Sequence, residues 1–154
     1  EEIDFVRKFN IPTAVVPGLS SSISLTGLQQ IPLTYRGISE SFWVITGATK
    51  AGFLSEDLYT AVNTNATVVV LMGFAKLQQI IDLYKENGKA DLPIAMIQNG
   101  SLPNEKIVLG RVENILEQAE ASAIGVPAII VLGEVVAKPL EFEKVKEQLQ
   151  YIEA

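Results

Sequence analysis

Cysteine and histidine are both absent from this 154-residue chain. Without cysteine there are no disulfides, thiolate zinc sites or thiol nucleophiles, and without histidine the commonest general base and metal ligand is gone. Catalysis would have to rest on carboxylates, lysine, arginine, tyrosine or backbone dipoles, and no metal site is expected. No apolar run reaches the roughly 18 to 20 residues that cross a bilayer, and the acidic opening Glu1-Glu2 lacks a signal peptide's charge order. G-x-S-x-G, Walker and G-x-G-x-x-G patterns are missing as well, so hydrolase and nucleotidase readings have no support. Basic residues are outnumbered, 12 against 18 acidic, and are scattered. A formal charge of -6 and a pI near 4.7 repel a phosphate backbone. The expectation is a cytoplasmic protein that engages neither nucleic acid nor membrane.

What is present suits a folded core, since 48% of the residues are hydrophobic and 19% charged. Ile3, Phe5, Val6 and Phe9 predict an uncapped helix over 1–9, broken by Ile11-Pro12. Thr13-Ala14-Val15-Val16, ended by Pro17-Gly18, reads as a short strand buried in a parallel sheet. A serine-capped helix follows over 20–28. Further on, strands are expected at 42–47, 67–72, 93–97, 106–109 and, strongest, 127–136. Helices are expected at 55–62, 76–86, 112–123 and 142–152, with Asn87-Gly88 as a left-handed stop. The fold class is α/β, with a mostly parallel or mixed sheet flanked by helices. Glycine, proline and polar residues over 30–41 interrupt the rhythm. Residues 1–36 then read as a strand-and-helix remnant plus linker, and 37–154 as a complete α/β domain.

Val16-Pro17-Gly18-Leu19-Ser20-Ser21-Ser22 places free N–H groups and hydroxyls between a strand end and a helix start, where α/β sheets bind ligands. Ordinary capping by serine accounts for the same residues. Arg36, between Pro32 and Gly37 on a bend, suits a bidentate carboxylate contact, or serves as a solvated or ion-paired arginine. Met72-Gly73 and Asn99-Gly100 each follow a buried strand, where glycine admits close backbone approach and methionine offers a soft apolar contact. Turn chemistry and core filling are the competing explanation. Glu113, Glu117 and Glu120 read as a solvated helix face.

These segments, in order, resemble the second half of uroporphyrinogen-III C-methyltransferases, of the tetrapyrrole methylase superfamily. The resemblance runs through Val15-Val16-Pro17-Gly18, Ile31-Pro32-Leu33-Thr34, Arg36-Gly37, Val44-Ile45-Thr46-Gly47, Leu71-Met72-Gly73, Asn99-Gly100 and Val131-Leu132-Gly133-Glu134-Val135-Val136. It implies two α/β domains enclosing S-adenosylmethionine in a cleft, a homodimer, and C-methylation of uroporphyrinogen III toward precorrin-2 for sirohaem or cobalamin. By matching position, Ser20 and Ser21 would contact the cofactor, Met72 would pack near it and Gly100 would let backbone approach it. Pro127 and Ala128 would flank the adenine, and Arg36 would face the substrate's acetates or propionates. Tyr35 stands where members commonly carry histidine. The first domain's glycine-proline loop and G-G-D-P segment are not in this sequence. The chain is therefore expected to be a carboxy-terminal part, inactive alone, with a remnant of the first domain over 1–36 and no catalytic residue assigned. Two other readings stand beside it: another tetrapyrrole methylase acting at a different ring carbon, and a non-catalytic binding or assembly module of the same fold.

Overall fold

The computed structural model describes residues 1–139, so the helix expected over 142–152 lies outside the described residues. Among the described residues, five strands form one mixed sheet in the order β1-β2-β5-β3-β4, where β1 is Phe42–Thr46, β2 Thr67–Leu71, β3 Pro93–Gln98, β4 Lys106–Arg111 and β5 Ala128–Leu132. Only β1 and β2 pair in parallel; β5 runs antiparallel to β2 and β3, and β4 antiparallel to β3. Because β5 separates them with the opposite direction, β2 and β3 still point the same way. The carboxyl ends of β1, β2 and β3 therefore share one edge with the amino ends of β4 and β5.

Strand alternation sends side chains to two faces. Val68, Val70, Ile94, Met96, Ile130 and Leu132 face one core with helices α3 (Asp57–Ala61), α4 (Leu77–Glu86) and α5 (Ile115–Ala121). Helix α4 buries Leu77, Ile80, Ile81, Leu83 and Tyr84, and ends at Asn87 with Gly88 at φ +72°. On the other face Val69, Ala95, Ile97, Ile129 and Val131 meet Ile31, Leu25 and Leu33. Each fully buried Ile or Leu contributes about 1.5–3 kcal/mol, which is why sheet and helices form one three-layer unit. Helix α2 (Ser21–Leu28) belongs to this second layer, and Ile31 is only 1% exposed there. The packing thus runs straight across residue 36.

Two expected strands change. Residues 13–16 form no strand: the segment 11–20 is irregular and exposed, with Val15 and Val16 72% and 88% accessible. It has no neighbouring strand to receive its backbone groups. The long final strand stops at Leu132, because Gly133 takes φ +151° and Glu134–Ala137 winds into a 3-10 turn that buries Val135 and Val136. Helix α1 (Glu2–Arg7) forms without a side-chain cap and buries no residue. Among the described residues, no helix is long and apolar enough to cross a membrane.

Candidate functional site

The shared strand-tip edge gathers most of the site residues expected from the sequence. Met72 follows β2, Gly100 follows β3, and Pro127 and Ala128 open β5. Ala128 pairs with Gln98 in the sheet, and the Asn99 N–H donates to the Pro127 carbonyl at 3.1 Å. The Val126-Pro127 peptide is cis. Gln98 anchors the approach to β5, its side-chain oxygen accepting from the Gly125 N–H at 2.9 Å. Met72 and Asn99 both turn into the left-handed region, at φ +53° and +51°, directly after their strands. Non-glycine residues there are uncommon and cluster where a chain is held for function. For Met72 the turn leaves the side chain 70% exposed above the sheet edge.

Helix α2 joins this edge through Leu25. A Cβ at Gly100 would collide with Leu25 Cδ2, and would stand 2.9 Å from Leu25 Cγ, so the missing side chain at residue 100 makes room for the helix. The β3–β4 loop is bound to the same helix: Glu105 accepts from Gln29 Nε2 at 2.6 Å and from the Ser101 N–H at 2.8 Å. At the amino end of α2, Ser20 caps, its hydroxyl 3.4 Å from the Ser22 N–H and 2.7 Å from the Ser22 hydroxyl. Buried Thr26 returns its hydroxyl to the Ser22 and Ile23 carbonyls. Ser21 is exposed beside the cap, so its hydroxyl and the first-turn N–H groups are the polar handles left for a ligand.

Arg36 stands elsewhere. It is exposed on a turn closed by reciprocal Tyr35–Ser39 backbone bonds of 2.9 Å, with Gly37 at φ +79°. Ser39 ties that turn to the start of β2: its buried hydroxyl accepts from the Thr67 N–H at 3.0 Å and donates to the Ser41 carbonyl at 2.9 Å. Thr67 and Met72 are separated by a strand rising about 3.3 Å per residue, so the Ser39 anchor of this turn lies roughly 17 Å from Met72, at the opposite edge. The structure therefore brings Met72, Gly100, Pro127, Ala128 and the Ser20-capped helix to one edge, and leaves Arg36 at the other.

Gly47 closes β1 at this same edge. A Cβ at Gly47 would strike the Gly73 backbone, so the tips of β1 and β2 touch through two glycines. Its signal was the glycine closing an apolar strand, as Gly73 does. None of Ser20, Ser21, Met72, Gly100, Pro127 and Ala128 carries an acid or base that titrates near neutrality. Such groups can bind and orient a ligand, not exchange protons with it.

Val15, Val16, Leu19, Leu102 and Val126 are exposed apolar side chains. Comparisons with known proteins identify the family. Residues 1–116 match the family described as Tetrapyrrole (Corrin/Porphyrin) Methylases. The chain is 35% identical over 138 residues to a siroheme synthase of Psychrobacter arcticus, covering 89% of this chain and 25% of that protein. It is also 35% identical over 139 residues to a uroporphyrinogen-III C-methyltransferase of Methanocaldococcus jannaschii, covering 88% of this chain and 57% of that one. The chain thus spans between a quarter and somewhat over half the length of these relatives. The uroporphyrin-III C-methyltransferase of Thermus thermophilus, solved with S-adenosyl homocysteine, superposes with a TM-score of 0.72 at 30% identity over 88% of this chain and 58% of that one. A cobalt precorrin-4 methyltransferase shares the fold, at a TM-score of 0.80 and 16% identity. By sequence and by fold, the chain belongs to the tetrapyrrole methylases.

Proposed function

We propose that this chain forms one face of the S-adenosylmethionine site of a uroporphyrinogen-III C-methyltransferase, a cytoplasmic enzyme of sirohaem or cobalamin synthesis. The observation that carries this is the convergence of Met72, Gly100, Pro127, Ala128 and, through Leu25, helix α2 on one sheet edge. Uroporphyrinogen III is favoured over other tetrapyrroles by sequence, 35% identity to a methyltransferase of that substrate against 16% to the precorrin-4 enzyme.

The edge fits such a cofactor in its donor set. Ser21 and the first-turn N–H groups of α2 suit a ribose hydroxyl or the amino-acid carboxylate. The exposed Met72 thioether and Val126 suit the apolar flanks of an adenosine. Bound there, the sulfonium would supply an electrophilic methyl group. Ser20, Ser21, Met72, Gly100, Pro127 and Ala128 would orient and cover it, and none of them carries a group that titrates near neutrality.

Arg36 takes no part in cofactor binding on this geometry, and its exposed guanidinium suits an acetate or propionate of the macrocycle. The division between units belongs before α2, because Leu25 and Ile31 share the sheet's core. Association as a homodimer would cover apolar side chains such as Phe5, Phe9 and Val16.

Titrating S-adenosylhomocysteine into the 15N-labelled protein tests the site. Saturable shifts at Ser20, Ser21, Met72 and Gly100, weakened by Met72→Ala, are expected. Shifts confined to the opposite edge, or none, would overturn it.

A further inference from the structure

One rung of the sheet places three residues in line: Gln98, at the tip of β3, pairs with Lys106 of β4 on one side and with Ala128 of β5 on the other. Residues directly opposed across a sheet share a face, so Gln98 and Lys106 both reach the connection from α5 to β5, residues 122–127, from that face. Lys106 holds its beginning. The ammonium donates to the Ser122 and Ala123 carbonyls at 3.1 and 3.0 Å, a cation at the carboxyl end of α5. Ile124 then enters the core, 7% exposed.

The last stretch, Val126-Pro127, is held differently. Two adjacent residues at the tip of β3 bracket it: the Gly125 N–H before it donates to the Gln98 side-chain oxygen at 2.9 Å, and the Pro127 carbonyl after it accepts from the Asn99 N–H at 3.1 Å. Asn99 acts through its backbone, which every residue but proline could supply. Gln98 acts through its side chain, at the end of a strand whose preceding residues, Pro93 to Ile97, are all buried. The bracketed pair buries little of itself, since Val126 is 67% accessible and Pro127 is exposed. A glutamine fixed in one rotamer gives up side-chain entropy, and what it secures here is not core packing but the position of two exposed apolar residues at the strand-tip edge.

We infer that Gln98 is a positioning residue for the nucleoside end of the cofactor: its carboxamide oxygen, through the Gly125 N–H, sets where Val126, Pro127 and Ala128 stand as the wall against which that end rests. This role rests on the strand-tip reading of cofactor binding and adds to it a residue that acts without touching the ligand. The two supports of the connection then have separate consequences. Lys106 secures the end of α5, whereas Gln98 secures the wall. A carboxylate at residue 98 would keep the acceptor and gain Lys106 as a favourable neighbour across the rung.

The test titrates S-adenosylhomocysteine into the 15N-labelled chain and its variants, following the amide shifts of Ser20, Met72 and Ala128. Gln98→Met keeps the side chain's length and loses the acceptor, so it should bind about three- to tenfold more weakly, as expected for one hydrogen bond. Gln98→Asn, one methylene short of Gly125, should lose affinity with it. Gln98→Glu should bind within about twofold of the parent. Without ligand, hydrogen exchange at Gly125 should quicken in Gln98→Met and keep the parent's rate in Gln98→Glu. Lys106→Met is the structural control: it loosens the end of α5, so urea stability should fall while affinity stays at the parent's value. Parent-like affinity in both Gln98→Met and Gln98→Asn would overturn the assignment. So would a loss in Gln98→Glu as large as in Gln98→Met, or an equal loss in Lys106→Met. A parent chain with no saturable shift at this edge would sink the cofactor reading itself and the role of Gln98 with it, a failure told apart from the others because they all require a parent that binds.

Discussion

Leu25 occupies the space that a side chain at residue 100 would need, so helix α2 and the tip of β3 sit in direct contact through a glycine. That contact links the two parts of the strand-tip site. The serine cap rides on the helix that Leu25 seats, and the Asn99-Gly100 turn rides on the strand.

Gly100→Ala should therefore cost stability even in the absence of ligand. The obstructing atoms are the flexible end of Leu25, which can rotate only by leaving its seat, and overpacking of this kind costs about 1–3 kcal/mol. Urea denaturation measures it. Adding Leu25→Ala to Gly100→Ala should destabilise by less than the sum of the two single changes, because the smaller residue 25 removes the clash. Full additivity would mean that the two side chains do not meet.

Gly47→Ala should be worse than Gly100→Ala. Here the added methyl meets the Gly73 backbone rather than a side-chain end, and the Gly47 N–H bond to the Leu71 carbonyl, 2.7 Å long, ties the position down. A loss of about 3 kcal/mol or more, at the upper end of the overpacking range, is expected from the same measurement. Equal losses for the two variants would show that the β1 tip can move away.

Much of this architecture was legible because it is local. Strands at 67–71 and 93–98 announce themselves as apolar runs ended by Gly73 and Gly100, and the stop of α4 at Asn87-Gly88 is written in two residues. What escaped depends on partners distant in sequence. Val15 and Val16 have the composition of a strand but no strand beside them. Gly133 ends β5 through a positive φ that the neighbouring apolar residues, Ile129 to Leu132 before it and Val135-Val136 after Glu134, conceal. Arg36 lies close to Met72 in motif order, yet Ser39 fastens its turn to the wrong end of β2 for a shared site.

Glu105 should act as a clamp between α2 and the β3–β4 loop. Its two oxygens take separate donors, Gln29 and the Ser101 N–H, and charge-assisted bonds at a partly exposed position sum to about 1–2 kcal/mol. Glu105→Ala should lose that much, and hydrogen exchange at Ser101 should quicken while Gly133, bonded to the Pro93 carbonyl at the far edge, stays protected. Unchanged exchange at Ser101 would remove the clamp.

Alkaline pH should unfold this protein partly through Tyr84. Burial raises its phenol well above the ordinary value of 10.0, so the folded state keeps its proton where the unfolded chain has released it. The folded state then binds more protons between the two values, and stability falls as pH rises past 10.0. Below that pH both states are protonated and Tyr84 contributes no slope. Lys89 works in the other direction: its lowered value means the unfolded chain binds the extra proton, so stability from this group rises with pH in the window just below its ordinary value of 10.5. Tyr84→Phe should flatten the fall above pH 10 in denaturation curves measured across the alkaline range, and Lys89→Met should remove the rise that precedes it. A Tyr84→Phe variant whose stability still declines as steeply as the parent's would mean that the phenol is not held protonated by the fold.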